Sequence, residues 1–465
     1  MKLASLSSRF NDTVFTPYWQ ETVSARRDLP ALTGAHRCDI AVIGAGFTGL
    51  WSALKARERH PNARIIVLEA RHLAEAASGR NGGFSAPSIS HGVGNAAARW
   101  PDEAEALVRL GRQNLDDLEA DLVTYGIKAE FERTGKVNVA ATPWEAEGLH
   151  DMQATYARFG VEAKVLSGDE LKRHLNSPRY PAGLYEPNYA YVNPARLVHG
   201  LAEACLRGGV SIHQDSPVSA ITPDGDGVSL TTPRGALRAG KVVMATNADL
   251  PILRRLRPAI VPIFDYTIMT EPLSDAQLES IGWQGRYGVA DCGNQFHYSR
   301  KTADNRILWG GYDAIYHRGS RRDAQLLNRA QSYARLEANF LEAFPSLSGV
   351  TFSHAWGGII DTSARLTFFT GTALGGRLAY AMGFTGQGVT ASRFAALTML
   401  DLLDGEETER TQLRMSRKRP FPFPPEPLRG LAIKVAQSHL AREDLTGKRS
   451  MLLRLMDRAG IGFGS

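Results

Sequence analysis

Apolar positions along the chain change their period several times, and the changes mark out its elements. Residues 1–36 hold no sustained period and carry Pro17, Pro30 and Gly34, which predicts an irregular N-terminal arm. Asp39-Ile-Ala-Val-Ile43 is a short, nearly continuous apolar run, as expected of a strand buried on both faces. A glycine-rich stretch follows. Leu50–His60 then has helical spacing, and Arg64-Ile-Ile-Val-Leu68 reads as a second buried strand. Pro101–Tyr125 repeats its apolar residues at helical period up to Gly126, whereas Thr134–Ala141 alternates like a strand. Asn193 with Pro194 behind it reads as an N-cap and first helical position. Short strands are predicted at Val210–His213, Val218–Ile221, Val228–Thr232, Lys241–Ala245, Tyr266–Met269, Phe296–Arg300 and Ile307–Trp309. Helices are predicted over Ala324–Phe344 and from the glycine-rich segment Gly383–Gly388 to Leu403. The tail from Arg414 is proline-rich at 420–427 and ends in an amphipathic helix.

Two glycine-rich segments give these elements chemical meaning. Gly44-Ala-Gly46-Phe-Thr-Gly49 follows a strand and opens a helix. In that setting the first glycine permits a tight turn, the second lets a pyrophosphate approach the backbone, and the third lets helix and strand pack closely. The helix N-terminus offers free N–H groups to phosphate oxygens. Glu69 ends the second strand, twenty residues past Gly49, where a carboxylate accepts hydrogen bonds from a ribose diol. Strand, helix and acid together predict a dinucleotide site, and the acid disfavours a 2′-phosphate, hence NADP. The second segment, Ala77-Ser-Gly-Arg-Asn-Gly-Gly83, is a run of small and polar residues able to curl around a flavin and its phosphates; a plain glycine-rich loop is the bland alternative.

Nucleotide-type elements thus occur near the start, in the middle and near the end. The fold class expected is α/β with an α+β second lobe. A Rossmann-type FAD-binding domain would be assembled from 37–100, 191–250 and 350–405, and a sheet-based substrate domain from 101–190 and 251–349. Residues 1–36 would form an arm and 406–465 a C-terminal tail. A chain of 465 residues exceeds the ~250–300 at which a single core stops growing, which fits this division. A ligand belongs in the crevice between the lobes.

Composition narrows the possibilities by exclusion. A hydrophobic content of 43% supports a full core. The net charge of +6 is mild, its basic clusters at Arg254–Arg257, Arg318–Arg322 and Arg414–Arg419 are short, and no nucleic-acid reader motif accompanies them. No nucleic-acid partner is therefore expected. Three cysteines, Cys38, Cys205 and Cys292, form no C-x-x-C pair, so neither a disulfide framework nor a metal site is expected. No stretch approaches the ~18 apolar residues of a spanning helix, so no integral membrane segment is expected. The arm reads as neither signal peptide nor anchor, and a cytoplasmic location is the default.

The chain resembles the FAD-dependent oxidoreductases of the D-amino-acid oxidase, glycine oxidase and sarcosine oxidase family, nearest to the γ-glutamylputrescine oxidase-like branch. The resemblance rests on 38–50, on the Ala-Ser-Gly-Arg-Asn-Gly-Gly run at 77–83 and on Thr134-Gly-Lys-Val-Asn-Val-Ala140. It continues through Val242-Val-Met-Ala-Thr-Asn-Ala248, Trp356-Gly-Gly358 and Gly383-Phe-Thr-Gly-Gln-Gly388. It implies that Gly44, Gly46, Phe47, Thr48 and Gly49 hold the pyrophosphate and that Glu69, with Ala70 and Arg71, holds the adenosine ribose. Ser78, Arg80, Asn81, Gly82 and Gly83 would line the stretch from phosphates to flavin. Val218 would reach the adenine region, and Ala245 and Thr246 would close over the nucleotide. Gly383, Thr385, Gly386, Gln387 and Gly388 would lie beside the flavin pyrimidine ring, where a helix N-terminus stabilises the negative charge of reduced flavin.

Two departures from the family pattern bear on substrate and cofactor. The amino-acid oxidases carry an arginine for the substrate carboxylate after the Trp-Gly pair, and here the stretch is Gly358-Ile-Ile-Asp-Thr362. Asp361 is instead a candidate for attracting a cationic amine, or else a turn residue. Members that tether flavin do so through a cysteine in this region; Trp356–Asp361 has none, so FAD is expected to be non-covalent. His91 is a candidate covalent anchor or substrate contact. Tyr298 and Arg300, on a strand with Phe296, form one candidate wall of the substrate site. The expected activity is oxidation of an amine or amino-acid C–N bond to an imine by hydride transfer to flavin N5, with O2 or another electron acceptor. An oxidoreductase of an aminophosphonate or N-methyl amino acid is the alternative within the family. A flavin monooxygenase is the alternative of another class, and it lacks a second GxGxxG in a strand–helix setting.

Overall fold

The computed structural model describes residues 6–24, 27–249 and 251–462. Two large sheets organise them. The first has eight strands, and at its centre five run parallel, in the order Ser211–His213, Ile65–Leu68, Gly34–Ile43, Gly235–Met244 and Leu378–Met382. The hairpin Ala220–Asp224/Gly227–Thr231 and the strand Phe369–Ala373 complete it as antiparallel additions. The central strands read as continuous apolar runs because both faces are covered. On one side lie the helices Phe47–Arg59, Pro194–Arg207 and Gly388–Asp404, and Leu50, Leu54, Leu197, Leu201, Phe394 and Met399 share one core with Val42 and Val67. On the other side Ile43, Ile66, Val228, Leu237 and Tyr380 form a separate cluster.

The second sheet has nine strands. Its order is Ile315–Tyr316, Ile260–Thr270, Ile307–Gly311, His297–Lys301, Gly288–Asp291, Lys136–Ala140, Ala182–Glu186 and Lys164–Ser167. The ninth strand, Phe352–Ser363, pairs with Ile260–Thr270. One face packs on the helix Ala330–Ala343 through Trp309, Tyr333, Phe340 and Phe344. The opposite face turns toward the segment 77–83, since Tyr298 and Arg300 project from it onto Gly82 and Gly83.

Several expectations are redrawn. Phe352–Ser363, placed with the nucleotide segments at 350–405, belongs to the second sheet: twelve residues with no interrupting turn extend the pairing of Ile260–Thr270. Ala104–Thr124, placed in the substrate lobe, packs its Leu107, Leu118 and Leu122 into the nucleotide-side core. The arm is not a loose leader. Val14 bridges His354, Phe10 enters the second core, and Trp19 is 1% exposed in the first. The predicted helix Ala324–Phe344 is a 3-10 turn, Ala324–Leu327, followed by a helix from Ala330. Asn193 caps its helix as expected, its side chain accepting from Arg196 N at 3.2 Å with Pro194 in the first turn. No helix among the described residues is long and apolar enough to cross a membrane.

Candidate functional site

The parallel strands ending at Ile43, Leu68, Met244 and Met382 deliver four loops to one edge of the first sheet: 44–49, 69–71, 245–246 and 383–388. A crevice at the carboxyl ends of such strands is where open α/β sheets bind ligands. Gly44 has φ +100°, and a Cβ there would stand 2.6 Å from Ala245 O. A Cβ on Gly49 would overlap Gly44 O, so only glycine lets the helix Phe47–Arg59 sit against its own strand. That helix has no side-chain cap, and Gly44, Gly46 and Thr48 are half-buried while Ala45 and Phe47 are buried. Glu69 holds this loop in shape. Its Oε2 accepts from Ala45 N at 2.7 Å and its Oε1 from Arg71 N at 2.9 Å. Burial raises its pKa while the two N–H groups and Arg71 oppose the rise. Arg71 itself reaches Asp249 at 3.1 Å, Ala70 is half-buried, and Val218 lies half-buried beside the sheet's second cluster. The Thr246 hydroxyl is buried without a partner.

The segment 77–83 is one helical turn, Ala77–Arg80, followed by a tight bend, rather than a featureless loop. Ser78 Oγ accepts from Phe47 N at 3.0 Å, joining the segment to the first glycine loop. Asn81 donates to Ala77 O and Ser78 O and accepts from Gly83 N at 2.8 Å, so its side chain closes the bend. Trp19 of the arm donates to Asn81 O at 2.9 Å. Arg80 donates to Glu75 O at 2.6 Å and Gly357 O at 2.9 Å, and Trp356 donates to Arg80 O at 2.8 Å, tying the segment to the second sheet. Gly83 has φ +76°, and its Cβ position is filled by Val192 O and Arg300 Nη1.

At the fourth loop, Gly383, Thr385 and Gly386 all have positive φ. The helix Gly388–Asp404 begins with no side-chain cap, and nothing lies within 4 Å of a Cβ built on Gly386. Its first-turn Thr390 hydroxyl is buried without a partner. Two uncapped helix N-termini, hydroxyls at Thr246 and Thr390 without a partner among the described residues, and open space at Gly386 suit a dinucleotide. The residues present therefore fit FAD.

The candidate catalytic residues fare unequally. Asp361 is 1% exposed, and its Oδ2 accepts from Gly383 N at 2.6 Å. Burial pushes its pKa up to about 7 against the backbone N–H groups that favour the anion. It shapes the turn before the helix Gly388–Asp404. Arg300 is 2% exposed, donates to Val192 O at 2.7 Å, and lies between the rings of Trp19 and Tyr191. It braces Gly83 from behind. Burial lowers its pKa to about 10. His91, with φ +64°, is half-buried; burial and the charge of Lys136 help push its pKa down to about 4, so it is neutral near pH 7.

Tyr298 lies against segment 77–83. Its ring lies against the Cβ position of Gly82 at 3.0 Å and edge-on to Phe84, and its hydroxyl donates to Asp265 Oδ2 at 2.6 Å. Asp265 was missed by the sequence reading. The available signal was a lone carboxylate inside the eleven-residue apolar strand Ile260–Thr270. Among the described residues no group of His, Cys, Asp and Glu could hold a metal, and the three cysteines are free.

Known proteins resemble this chain over most of its length. The probable oxidoreductase OrdL of Haemophilus influenzae is 28% identical over 90% of this chain and 94% of that protein. The gamma-glutamylputrescine oxidoreductase of Escherichia coli is 28% identical over 87% of this chain and 92% of its own length. The crystal structure of glycine oxidase from Geobacillus kaustophilus superposes with a TM-score of 0.70 at 20% identity, covering 83% of this chain and all of that one. Residues 39–402 match the DAO family, the FAD dependent oxidoreductases, and the chain belongs to that family.

Proposed function

We propose that this FAD-dependent oxidoreductase oxidises the CH–NH unit of an amine, in preference to a simple α-amino acid. One observation carries the preference. On the face that meets segment 77–83, Gly358 and Ile360 stand beside Asp265 and Ile263 of the neighbouring strand, so a carboxylate rather than a cation sits at this position. Arg80 and Arg300, which border this face, donate to carbonyl oxygens, Arg80 through Nε and Nη1 and Arg300 through Nη1. A carboxylate buried without a cationic partner loses several kcal/mol on desolvation.

The chemistry FAD supplies when bound is two-electron acceptance, toward which a substrate C–H bond leaves as hydride, giving an imine that water hydrolyses. The chain's own residues hold and orient. Gly44, Gly46 and Gly49 open the backbone to the pyrophosphate, and Glu69 offers its remaining lone pairs to the ribose. The first turn of Gly388–Asp404 would face the ring, where its free N–H groups favour negative charge. Asp361 sets the angle of that turn through Gly383 N. The wall formed by Phe84, Tyr298 and Ile360 would exclude water from the reacting carbon. FAD is held without a covalent bond, and O2 or another carrier takes up the electrons.

Similarity to a gamma-glutamylputrescine oxidoreductase over most of both chains supports an amine substrate. The test is incubation of the holoenzyme with putrescine, γ-glutamylputrescine, sarcosine, glycine, D-alanine and 2-aminoethylphosphonate, and capture of the carbonyl product as a hydrazone. An amine should give the fastest product formation. Faster product from glycine or D-alanine by tenfold overturns the preference.

A further inference from the structure

Asp265 shares its face of the second sheet with one other charged residue, Arg300, whose Nη1 donates to Gly82 O and Val192 O, and otherwise with apolar, hydroxyl and glycine positions. It pairs across the strands with Gly358 and shares its face with Thr267, Gly310 and Tyr298. The Thr267 and Tyr298 hydroxyls are 3.1 Å apart, and Tyr298 donates onward to Asp265 Oδ2 at 2.6 Å. Oδ1 accepts from Tyr266 N at 2.9 Å, and the Gly311 backbone N–H also supports the carboxylate. These donors orient it. None is charged, no ion pair to Asp265 is present among the described residues, and the residue is half-buried. Burial accordingly pushes its pKa up to about 6, with Asp313 adding like charge, while Tyr298, Tyr266 N and Gly311 N oppose the rise.

A half-buried carboxylate whose partners are all neutral is suited to pair with a cation. The Tyr298 ring that holds it rests on Gly82, which sets the carboxylate beside segment 77–83. We propose that Asp265, oriented by Tyr298, is the seat for a cationic ammonium group of the substrate and sets the enzyme's preference for amines over α-carboxylates. This rests on the amine-oxidation reading and adds the residue that discriminates. Asp265 acts by charge and Tyr298 by positioning it. The ammonium docks as a cation in competition with water and, where it is the reacting nitrogen, gives its proton to water before hydride leaves the adjacent carbon, whereas a carboxylate in the same place meets like charge.

The test uses ligands that cannot react, which separates it from the oxidation reading. tert-Butylammonium has no hydrogen on its α-carbon, and pivalate is its anionic counterpart of the same shape. Binding of each to the FAD-loaded enzyme is followed by perturbation of the flavin absorbance, with flavin content and Tm as controls of the fold. In the wild type tert-butylammonium should bind at least tenfold more tightly than pivalate at pH 8, with the preference fading below about pH 6. Asp265→Asn should weaken tert-butylammonium at least tenfold and leave pivalate unchanged or tighter. Tyr298→Phe removes a donor that stabilises the anion, so its onset of cation binding should move to higher pH. A change of less than twofold for tert-butylammonium in Asp265→Asn, or equal weakening of both ligands, overturns the proposal. If Asp265→Asn fails to retain flavin, the decision passes to Tyr298→Phe, and an unmoved onset overturns the proposal. Failure of every amine to reduce the flavin, with cation binding intact, would instead remove the oxidation reading.

Discussion

Gly83→Ala is expected to empty the cofactor site while leaving the two cores intact. The residue has φ +76°, and a non-glycine residue in the left-handed region costs roughly 1–2 kcal/mol. The added methyl has no room. It would overlap Val192 O and stand 2.5 Å from Arg300 Nη1. Neither neighbour is a free side-chain end. Val192 N donates to Gly83 O at 2.9 Å, and Val192 O is the acceptor of Arg300 at 2.7 Å. Relief therefore demands a shift of the segment, at about 1–3 kcal/mol for overpacking. The combined penalty is about 3 kcal/mol, or roughly a hundredfold in FAD affinity if the bend at Asn81 moves to relieve it. The assay is titration of apoprotein with FAD, read by quenching of flavin fluorescence, alongside thermal unfolding. A dissociation constant within threefold of the wild type would refute the reasoning, because the segment would then be free to adapt or lie away from the flavin.

Three further outcomes are expected. Glu69→Ala should weaken FAD by the ~1.5–3 kcal/mol of a hydrogen bond to a charged group, about ten- to a hundredfold, with the fold retained; unchanged affinity would show that the carboxylate serves only the Ala45 loop. Acid precipitation should release all the flavin into the supernatant, and yellow colour left on the pellet would mean a covalent link. Asp361 has a folded pKa raised to about 7, so its favourable contribution is full below about pH 4 and is lost as pH rises through 7. Urea denaturation should thus show Asp361→Asn gaining stability relative to the wild type between pH 5 and pH 8. A constant difference across that range, or an altered KM for an amine, would contradict its placement as a buried turn residue.

The nucleotide cradle was legible in the sequence because each of its parts has a local signature. Gly44–Gly49 needs glycine for steric reasons that hold inside ten residues of chain, and Glu69 follows from strand length. The substrate wall was not legible, since it depends on which strands pair across long separations. Phe352–Ser363 reads locally as part of the nucleotide region, and only its pairing with Ile260–Thr270 places Ile360 near Asp265. Arg300 and Asp361 are substrate candidates because charge inside a strand invites function, and in the fold Arg300 Nη1 donates to carbonyls of Gly82 and Val192 while Asp361 accepts from Gly383 N. Asp265 carried the same signal at Ile260–Thr270, and what distinguishes it is its uncharged surroundings. The arm was read as polar and irregular, yet Trp19 spans the space to Asn81, a contact no periodicity encodes.

Anaerobic titration of the yellow holoenzyme with an amine and amino-acid panel tests the central claim most directly. Bleaching of the flavin absorbance should be fastest with a primary or secondary amine, and at least tenfold slower with glycine or D-alanine. Bleaching led by glycine or D-alanine, or only by NADH or NADPH, would contradict it.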